Sequence, residues 1–537
     1  MGGECTLNGI QIKNVRSLKD TEMLSLSPIT VLVGENSSGK STFLRVFPLL
    51  KQSICKRTSG PLLWAGDYDD YVDFGSFKET VTNDGSDTIT FRFCFKLDNA
   101  ITSRRYYFPL FKENQVEDSF SNVSYEITVV SNNGKESVSL LTIIYNRTKI
   151  SFDLRAKSIF VDNLKIFTEK QDVLDREKDF DRSFFFTMRR TRANSVFEFV
   201  LPDISPVWED IYQILHIENI GEETLEAATY QRALDFMGEE LVMGTQLRSI
   251  LTKAKKRFPT DETSSNILDC FSELKSTFNM CTEKEKERVL ADLKLCHLYS
   301  VFPAINDFIN TYFRQVHYIA PLRATAERYY RLRNLAVDEV DYQGKNLAVF
   351  LNSLSNKKFQ NFQQWTLEHF GFSVAKSTSE GHLSIRIRLE DSKKTINLSD
   401  TGFGYSQILP IITQLWELSS REKTEFTSDA PLVIAIEQPE LHLHPAMQAK
   451  LAKAFIASLR LAEKNGYQLQ LILETHSETI VNYFGREIAR GSLTPEDVSV
   501  ILFEKNPQTK LTVTRTSKYS EEGFLQNWPY GFFEAGE

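Results

Sequence analysis

Cysteine is scarce in this 537-residue chain. Its six cysteines are Cys5, Cys55, Cys94, Cys270, Cys281 and Cys296, and no two form a C-x-x-C pair. That spacing argues against a thiolate zinc site and against a disulfide framework, so the chain reads as cytoplasmic with reduced thiols. Long apolar runs are missing too. No stretch reaches the roughly 18 apolar residues that mark a membrane span. The N-terminus meets Asn14, Arg16, Lys19 and Asp20 early and shows no signal-peptide pattern. Positive charge is in deficit: 63 Lys and Arg against 71 Asp and Glu leave a formal net charge of −8. Contact with nucleic acid would therefore need a local patch or a partner. No fixed-period repeat or low-complexity tract stands out. What is left is ordinary globular material, long enough for three or four units of about 150 residues.

The chain is organised around Gly34-Glu35-Asn36-Ser37-Ser38-Gly39-Lys40-Ser41. This fits G-x-x-x-x-G-K-[ST], a phosphate-binding loop. The motif needs a strand before it and a helix after it. Ile29-Thr30-Val31-Leu32-Val33 reads as a buried strand, and Thr42-Phe43-Leu44-Arg45-Val46-Phe47 opens a helix that runs on through Ile54. The two glycines let successive N–H groups turn inward as an anion nest, and the helix N-terminus adds its positive dipole end. Lys40 is expected on the β- and γ-phosphates of ATP, and the Ser41 hydroxyl on Mg²⁺.

Residues 60–80 hold Gly, Asp and aromatics and read as an exposed loop. From 88 to about 167 the pattern has period two, with Asn133-Gly134 as a hairpin signal, so an antiparallel subsheet is expected. From about 205 to 315 helical patterns take over, with amphipathic runs over 224–243 and 283–313 and a basic knot at Lys253, Lys255, Lys256 and Arg257. Heptads do not persist, so no long coiled coil is expected. Strand character returns at 316–323, followed by Arg328, Tyr329, Tyr330 and Arg331, a candidate clamp for a nucleotide or an interface edge. Residues 382–389 alternate as a strand.

Three further motifs follow. Leu398-Ser399-Asp400-Thr401-Gly402-Phe403-Gly404-Tyr405-Ser406-Gln407 precedes an apolar helix and reads as a second anion nest. The apolar run 432–436 delivers Glu437 at a strand end, where ligands sit in an open α/β sheet. Glu437 is the candidate acid for Mg²⁺. A second apolar run, 469–473, ends in Glu474-Thr475-His476-Ser477, and His476 is placed to meet a γ-phosphate or position the attacking water.

The order of these motifs resembles an ABC-type ATPase head of the SMC, RecF and OLD (overcoming lysogenization defect) group. The run Glu437-Gln438-Pro439-Glu440-Leu441-His442-Leu443-His444-Pro445 resembles the OLD-like branch. The stretches 316–323, 437–445, 474–478 and Trp528-Pro529-Tyr530-Gly531-Phe532-Phe533 are similar to the PtuA family, the ATPases of Septu-type antiphage systems, including those attached to retrons. The resemblance implies an α/β fold: a P-loop sheet plus an antiparallel β subdomain, with a helical insertion. Residues 1–170 would be the N-terminal part of the head, 171–315 the insertion for docking or oligomerisation, and 316–537 the C-terminal part. It implies ATP and Mg²⁺ as cofactors, with residues 34–41 and Thr42 on the nucleotide, Ser41 and Glu437 on the metal, and Glu437, Gln438, Glu440 and His476 in catalysis. It also implies a homodimer or higher homo-oligomer, in which Ser399 and Gly402 of one copy complete the site around Lys40 of another. No membrane partner is implied. An HNH nuclease (PtuB-like) is the implied partner, and in retron versions a reverse transcriptase with its multicopy single-stranded DNA (msDNA).

Two departures refine the expectation. Gln438 stands where many ABC ATPases carry the glutamate that polarises the attacking water. An amide is a far weaker base, and losing a general base costs about 10²–10⁴ in rate. Slow hydrolysis is expected unless Glu440 or His476 substitutes. OLD-type nucleases also carry a TOPRIM domain after the ATPase. Here 61 residues follow His476 and hold no Asp-x-Asp, so no nuclease is expected in this chain. The leading expectation is a regulatory ATPase of an antiphage complex. A RecF-like DNA clamp in repair and a scaffold with a relict ATP site are the rivals.

Overall fold

The computed structural model describes residues 6–98, 120–168 and 282–529, except 57, 59, 68–69, 84, 146, 157, 332–336, 338, 380, 391, 393 and 424–429. The expected helix over 224–243, the basic knot at 253–257 and the terminal run from Tyr530 lie outside these residues. Two compact units are present. One comprises Met1–Leu7, Lys56–Pro61 and Asp87–Asn310, and the other Asn8–Cys55, Leu62–Ser86 and Thr311–Glu537.

The second unit carries the phosphate-loop motif. Strand β1 (Leu7–Val15) pairs antiparallel with β2 (Leu18–Asp20) and β3 (Leu24–Ser25). Strand β4 (Ile29–Gly34) is buried at all six positions, as its unbroken apolar run requires. Helix α1 (Lys40–Cys55) follows directly and buries Phe43, Leu44, Phe47, Leu50 and Ile54, a stripe at helical spacing. The 60–80 stretch differs from the exposed loop expected. Trp64, Val72, Phe74 and Phe77 are buried, and Gln52 of α1 donates to the carbonyls of Leu63 and Val72. A short helix α2 (Phe77–Thr80) begins with a Ser76/Glu79 capping box. The aromatic residues drive this burial, and the interspersed acids and glycines obscure it in the sequence.

In the first unit, β5 (Thr88–Asp98), β6 (Phe120–Asn132), β7 (Lys135–Tyr145), β8 (Thr148–Asp153), β9 (Ser158–Val161) and β10 (Leu164–Thr168) pair antiparallel in consecutive order. Asn133 (φ 52°) and Gly134 (φ 77°) make the left-handed turn that the Asn-Gly signal predicts. Helix α3 (Glu283–Arg314) is 32 residues long. It stacks Phe308 on Phe95 and directs Arg288 to the Ile166 carbonyl.

The rest of the second unit completes two sheets. Strands β11 (Val316–Ile319), β16 (Leu432–Glu437), β17 (Leu469–Glu474), β4 and β18 (Val498–Lys505) run parallel in that order, and β19 (Thr512–Lys518) closes the edge antiparallel. The smaller sheet joins β12 (Tyr330–Arg331), β13 (Phe372–Ser379), β14 (His382–Leu389) and β15 (Ile396–Asn397). Helices α4 (Leu347–Ser353), α5 (Asn356–Phe370), α6 (Phe403–Ser419), α7 (Pro445–Lys464) and α8 (Glu478–Ala489) belong to this unit, and the apolar residues of all five share one core with β16, β17 and β18. The expected Arg-Tyr clamp is split by this arrangement. Arg328 forms an ion pair with Asp400, while Tyr330 and Arg331 lie in β12. Among the described residues, no helix is long and apolar enough to cross a membrane.

Candidate functional site

Parallel strands present their C-terminal ends on one edge of a sheet, and ligands collect there. In the second unit those ends include Gly34 of β4, Glu437 of β16 and Glu474 of β17. A cleft of 380 Å³ opens at this edge. The loop residues Asn36 to Thr42 line it, together with Arg16, Ser17, Arg45, Gln438, Glu474 and His476.

The loop is shaped by its glycines and by Lys40. Gly39 has φ +102°, and a Cβ there would lie 2.8 Å from Thr512 Oγ1. Gly34 has φ +151°, and a Cβ would lie 2.2 Å from the Phe503 carbonyl oxygen. Lys40 Nζ donates to the carbonyls of Gly34 (2.9 Å) and Glu35 (2.6 Å), so those two residues brace the lysine and do not line the cleft. Burial lowers the pKa of Lys40, against the opposing pull of Glu474, Glu440 and Glu35. Ser41 Oγ donates to Glu474 Oε1 at 2.7 Å. The residues present fit a nucleotide phosphate chain with Mg²⁺. The cradle excludes any Cβ at Gly39, three cations (Arg16, Lys40, Arg45) face the cleft, and two buried oxygens, Ser38 Oγ and Glu474 Oε2, have no hydrogen-bond partner among the described residues. Among the described residues no cluster of three or more His, Cys, Asp or Glu could hold a metal ion by itself.

The expected metal acid sits elsewhere. Glu437 does not line the cleft; its two oxygens take the Nε and Nη2 of Arg45 at 2.7 and 2.8 Å, and Tyr318 donates its hydroxyl to Oε1 at 2.7 Å. The bidentate bond to Glu437 raises the pKa of Arg45. The physical reason is position. Strand β16 lies two strands from β4, whereas β17 is its neighbour, and Glu437 and Glu474 are register partners. Glu474 therefore stands beside Ser41. Burial, and next the charge on Glu437, push its carboxyl up to about 7.

Gln438 does line the cleft, with a left-handed backbone (φ 43°). Its N–H donates to the Glu474 carbonyl at 2.8 Å, and its own carbonyl accepts from Arg323 Nη2 at 3.1 Å. Arg323 is buried, which lowers its pKa to about 10, and its Nε and Nη1 have no hydrogen-bond partner among the described residues. Glu440 does not face the cleft. One carboxylate oxygen accepts from Thr475 Oγ1 and the other from the His476 N–H, both at 2.8 Å. Burial raises the pKa of Glu440. Both oxygens are thus occupied in holding the strand-to-helix turn that carries His476. Ser477 then N-caps α8, accepting from the Ile480 N–H. Partial burial lowers the pKa of the His476 imidazole, and the charge on Lys40 adds to the effect.

Ser399 and Gly402 lie outside the cleft. Ser399 is exposed and donates to Asn397 Oδ1. Gly402 is the N-cap of α6 and offers no side-chain cap, leaving that helix end open to an incoming group. Gln407, grouped with this nest in the sequence, is buried against the Arg323 carbonyl instead. In the HLHP run, His444 is a helix cap: its Nδ1 accepts from the Ala446 N–H. Sequence reasoning missed Arg16, Ser17, Arg45 and Glu474 as cleft residues. Arg45 was within reach, since it lies four residues after Ser41 on α1 and so on the same face.

Comparison with known proteins gives the following. The family model described as AAA ATPase domain matches residues 6–481. Endonuclease GajA of Bacillus cereus (strain HuB5-5) is 29% identical over 113 residues, which is 20% of this chain and 16% of that protein. The chain thus spans less than a fifth of that relative's length. Among solved structures, the SMC head domain from Thermotoga maritima aligns over 95% of this chain and 98% of its own, at 9% identity and a TM-score of 0.33. An SMC head bound to the C-winged helix domain of ScpA aligns over 95% and 97%, at 12% identity and 0.33. RecF with ATP aligns over 89% and 95%, at 12% identity and 0.27. The family match takes in every residue that lines the cleft, from Arg16 to His476, and on that ground the chain belongs to the AAA ATPase domain family.

Proposed function

We propose that this chain is the ATP-binding, slowly hydrolysing ATPase subunit of a bacterial antiphage complex, in which it restrains and releases a separate HNH nuclease of the PtuB-like kind. In retron versions a reverse transcriptase and its msDNA would join the complex. The observation that carries the nucleotide part is the cleft itself: Lys40, Ser41 and His476 converge on one glycine-cradled loop. Lys40 would hold the terminal phosphates, and Mg²⁺ bound with them would neutralise their charge. Ser41 would orient that complex, and Gln438 and His476 would position water at its outer end. Ser399 and Gly402, exposed and away from their own cleft, suit a role in the cleft of a second copy. The defence part is supported by the motif pattern over 437–445 and 474–478 and by the distant likeness to a protein named endonuclease GajA.

The slow-turnover element rests on Gln438 at the water position. Gln438→Glu should raise the ATPase rate by about tenfold or more, because it restores a general base. Brisk turnover by the parent chain, unchanged in that variant, would remove this element. The wider proposal is tested by purifying a tagged chain from its native operon and identifying what is bound by native mass spectrometry. A bound HNH nuclease supports it. Loss of that nuclease from the Lys40→Ala chain would tie the contact to the nucleotide state. A lone dimer carrying only ATP would overturn the defence reading in favour of a RecF-like clamp, whose duplex binding should then weaken steeply with salt.

A further inference from the structure

We propose that Arg323 is a positioning residue for ATP hydrolysis, acting from outside the cleft by clamping the backbone of Gln438. The inference rests on the nucleotide part of the function proposed above and adds a residue to that site. Three observations carry it. First, Arg323 is 5% exposed, and an arginine so deeply buried normally faces a carboxylate. Among the described residues no carboxylate takes its guanidinium. Nη2 donates instead to the Glu437 carbonyl at 2.9 Å and to the Gln438 carbonyl at 3.1 Å, while Nε and Nη1 have no partner. Second, Gln438 lines the cleft with φ 43°, a region uncommon for a residue other than glycine, and Pro439 restricts it further. Such a backbone persists only where its surroundings hold it. Third, the segment that carries Arg323 is itself pinned. The N–H groups of Ala320 and Ala324 donate to the carbonyls of Tyr342 and Gln343 at 2.9 and 2.8 Å, and Gln407 of α6 reaches the Arg323 carbonyl at 3.4 Å.

Peptide geometry explains why two carbonyls on one nitrogen matter. Each peptide unit is planar, so a residue's conformation is set by how the two planes that meet at its Cα are turned. The carbonyls of Glu437 and Gln438 belong to the two planes that meet at the Gln438 Cα. Holding both oxygens on Arg323 Nη2 therefore fixes φ and ψ of Gln438 together, and with them the direction in which its side chain leaves the backbone. Neutral bonds add to the clamp: the Gln438 N–H donates to the Glu474 carbonyl at 2.8 Å, and the Gln438 carbonyl also accepts the Leu441 N–H at 3.2 Å. The two bonds from the guanidinium carry charge and are roughly twice as strong as such neutral ones. Burial works against the charge on Arg323, and nearby Glu440 favours it. An apolar side chain at 323 would leave both carbonyls without this donor and free the turn to relax.

The test uses the full chain with ATP and Mg²⁺, reading single-turnover hydrolysis and, separately, ATP affinity. Arg323→Met should slow hydrolysis by about tenfold to a hundredfold, the loss expected when a reacting geometry shifts by an ångström. Its ATP affinity should stay near that of the parent, because the phosphate loop is untouched. Arg323→Lys keeps a charged donor and should recover part of the rate. The deciding readout is a cycle with Gln438→Ala. An arginine that acts through Gln438 has little left to lose in that background, whereas one that merely braces the fold costs the same factor in both. Should Arg323→Met fail to fold, Arg323→Lys carries the same cycle with a smaller factor. Parent-like hydrolysis in Arg323→Met or in Gln438→Ala overturns the assignment and leaves the ATP site standing. So does an Arg323→Met loss repeated in full on Gln438→Ala. No hydrolysis by the parent chain overturns the ATPase reading and this inference with it.

Discussion

Replacing Glu440 with alanine removes no side chain from the cleft lining but should loosen the turn that carries one of its residues, His476. Glu440 accepts two hydrogen bonds, from Thr475 Oγ1 and from the His476 N–H, each 2.8 Å long. A hydrogen bond to a charged group contributes about 1.5–3 kcal/mol, so the two together approach 3–6 kcal/mol. Part of this is offset, because burial of the carboxylate is itself unfavourable and raises its pKa. The two donors also differ. Thr475 is fully buried and its hydroxyl proton would lose its acceptor, although Oγ1 still takes the Ser477 N–H, whereas His476 is exposed and water can reach its N–H. A net loss of about 2–4 kcal/mol follows. Hydrogen exchange reads this locally. At 1.4 kcal/mol per factor of ten, the amides from Thr475 to Ile480 should lose roughly thirtyfold or more of their protection.

The conservative variant separates positioning from base chemistry. Glu440→Gln keeps an acceptor for the His476 N–H and a polar partner for Thr475. If Glu440 only holds the turn, this variant should retain most of the protection and most of the ATPase rate. If Glu440 were the base that Gln438 cannot be, Gln would be as inactive as Ala. Unchanged protection at His476 in Glu440→Ala would refute the positioning argument outright.

Gly39→Ala should weaken ATP binding by about tenfold or more, since an L-residue at φ +102° carries roughly 1–3 kcal/mol of strain and its Cβ would press on Thr512 and Ser17; titration calorimetry giving the parent affinity would show that the cradle is not rigid. Acid sensitivity should arise at His317, a fully buried ring whose pKa falls to about 4, chiefly through burial and in part through Lys51, although Glu339 at 3.0 Å pulls the other way. The unfolded chain takes a proton near pH 6.5 that the folded ring refuses, so this site's contribution is present above about pH 6.5 and is lost as pH falls toward 4, by up to about 1.4 kcal/mol per pH unit. His317→Asn should flatten urea midpoints between pH 6.5 and 5, and an unchanged slope would place the sensitivity elsewhere.

The parts legible in the sequence were those set by neighbours along the chain. The phosphate loop is eight consecutive residues whose glycines, lysine and flanking periodicities all act locally, so strand β4 and helix α1 fall where the pattern puts them. The hairpin at Asn133-Gly134 is local in the same sense, because two left-handed residues in a row are something few residue pairs tolerate. The 60–80 stretch failed for the opposite reason. Its acids and glycines look solvated, and only the presence of Gln52 and the core behind it turns Trp64 and Phe74 inward. Arg16 is a further case. Strands β2, β3 and β4 lie between it and Lys40, and nothing in its own surroundings marks it as a cleft residue.

The two acids at the sheet edge show what motif order alone leaves out. Glu437 and Glu474 each end an apolar strand, and each is followed by residues that reach the cleft. By sequence they are equivalent candidates, and the familiar motif favours the first. What separates them is strand order, which places β17 and not β16 against β4, and a counter-ion on a distant element, Arg45 of α1. Glu437 carries a bidentate arginine, while its register partner Glu474 takes the Ser41 hydroxyl on one oxygen. Helix α1 thus reaches both acids, through Arg45 to Glu437 and through Ser41 to Glu474, and neither contact is written in the residues next to either acid.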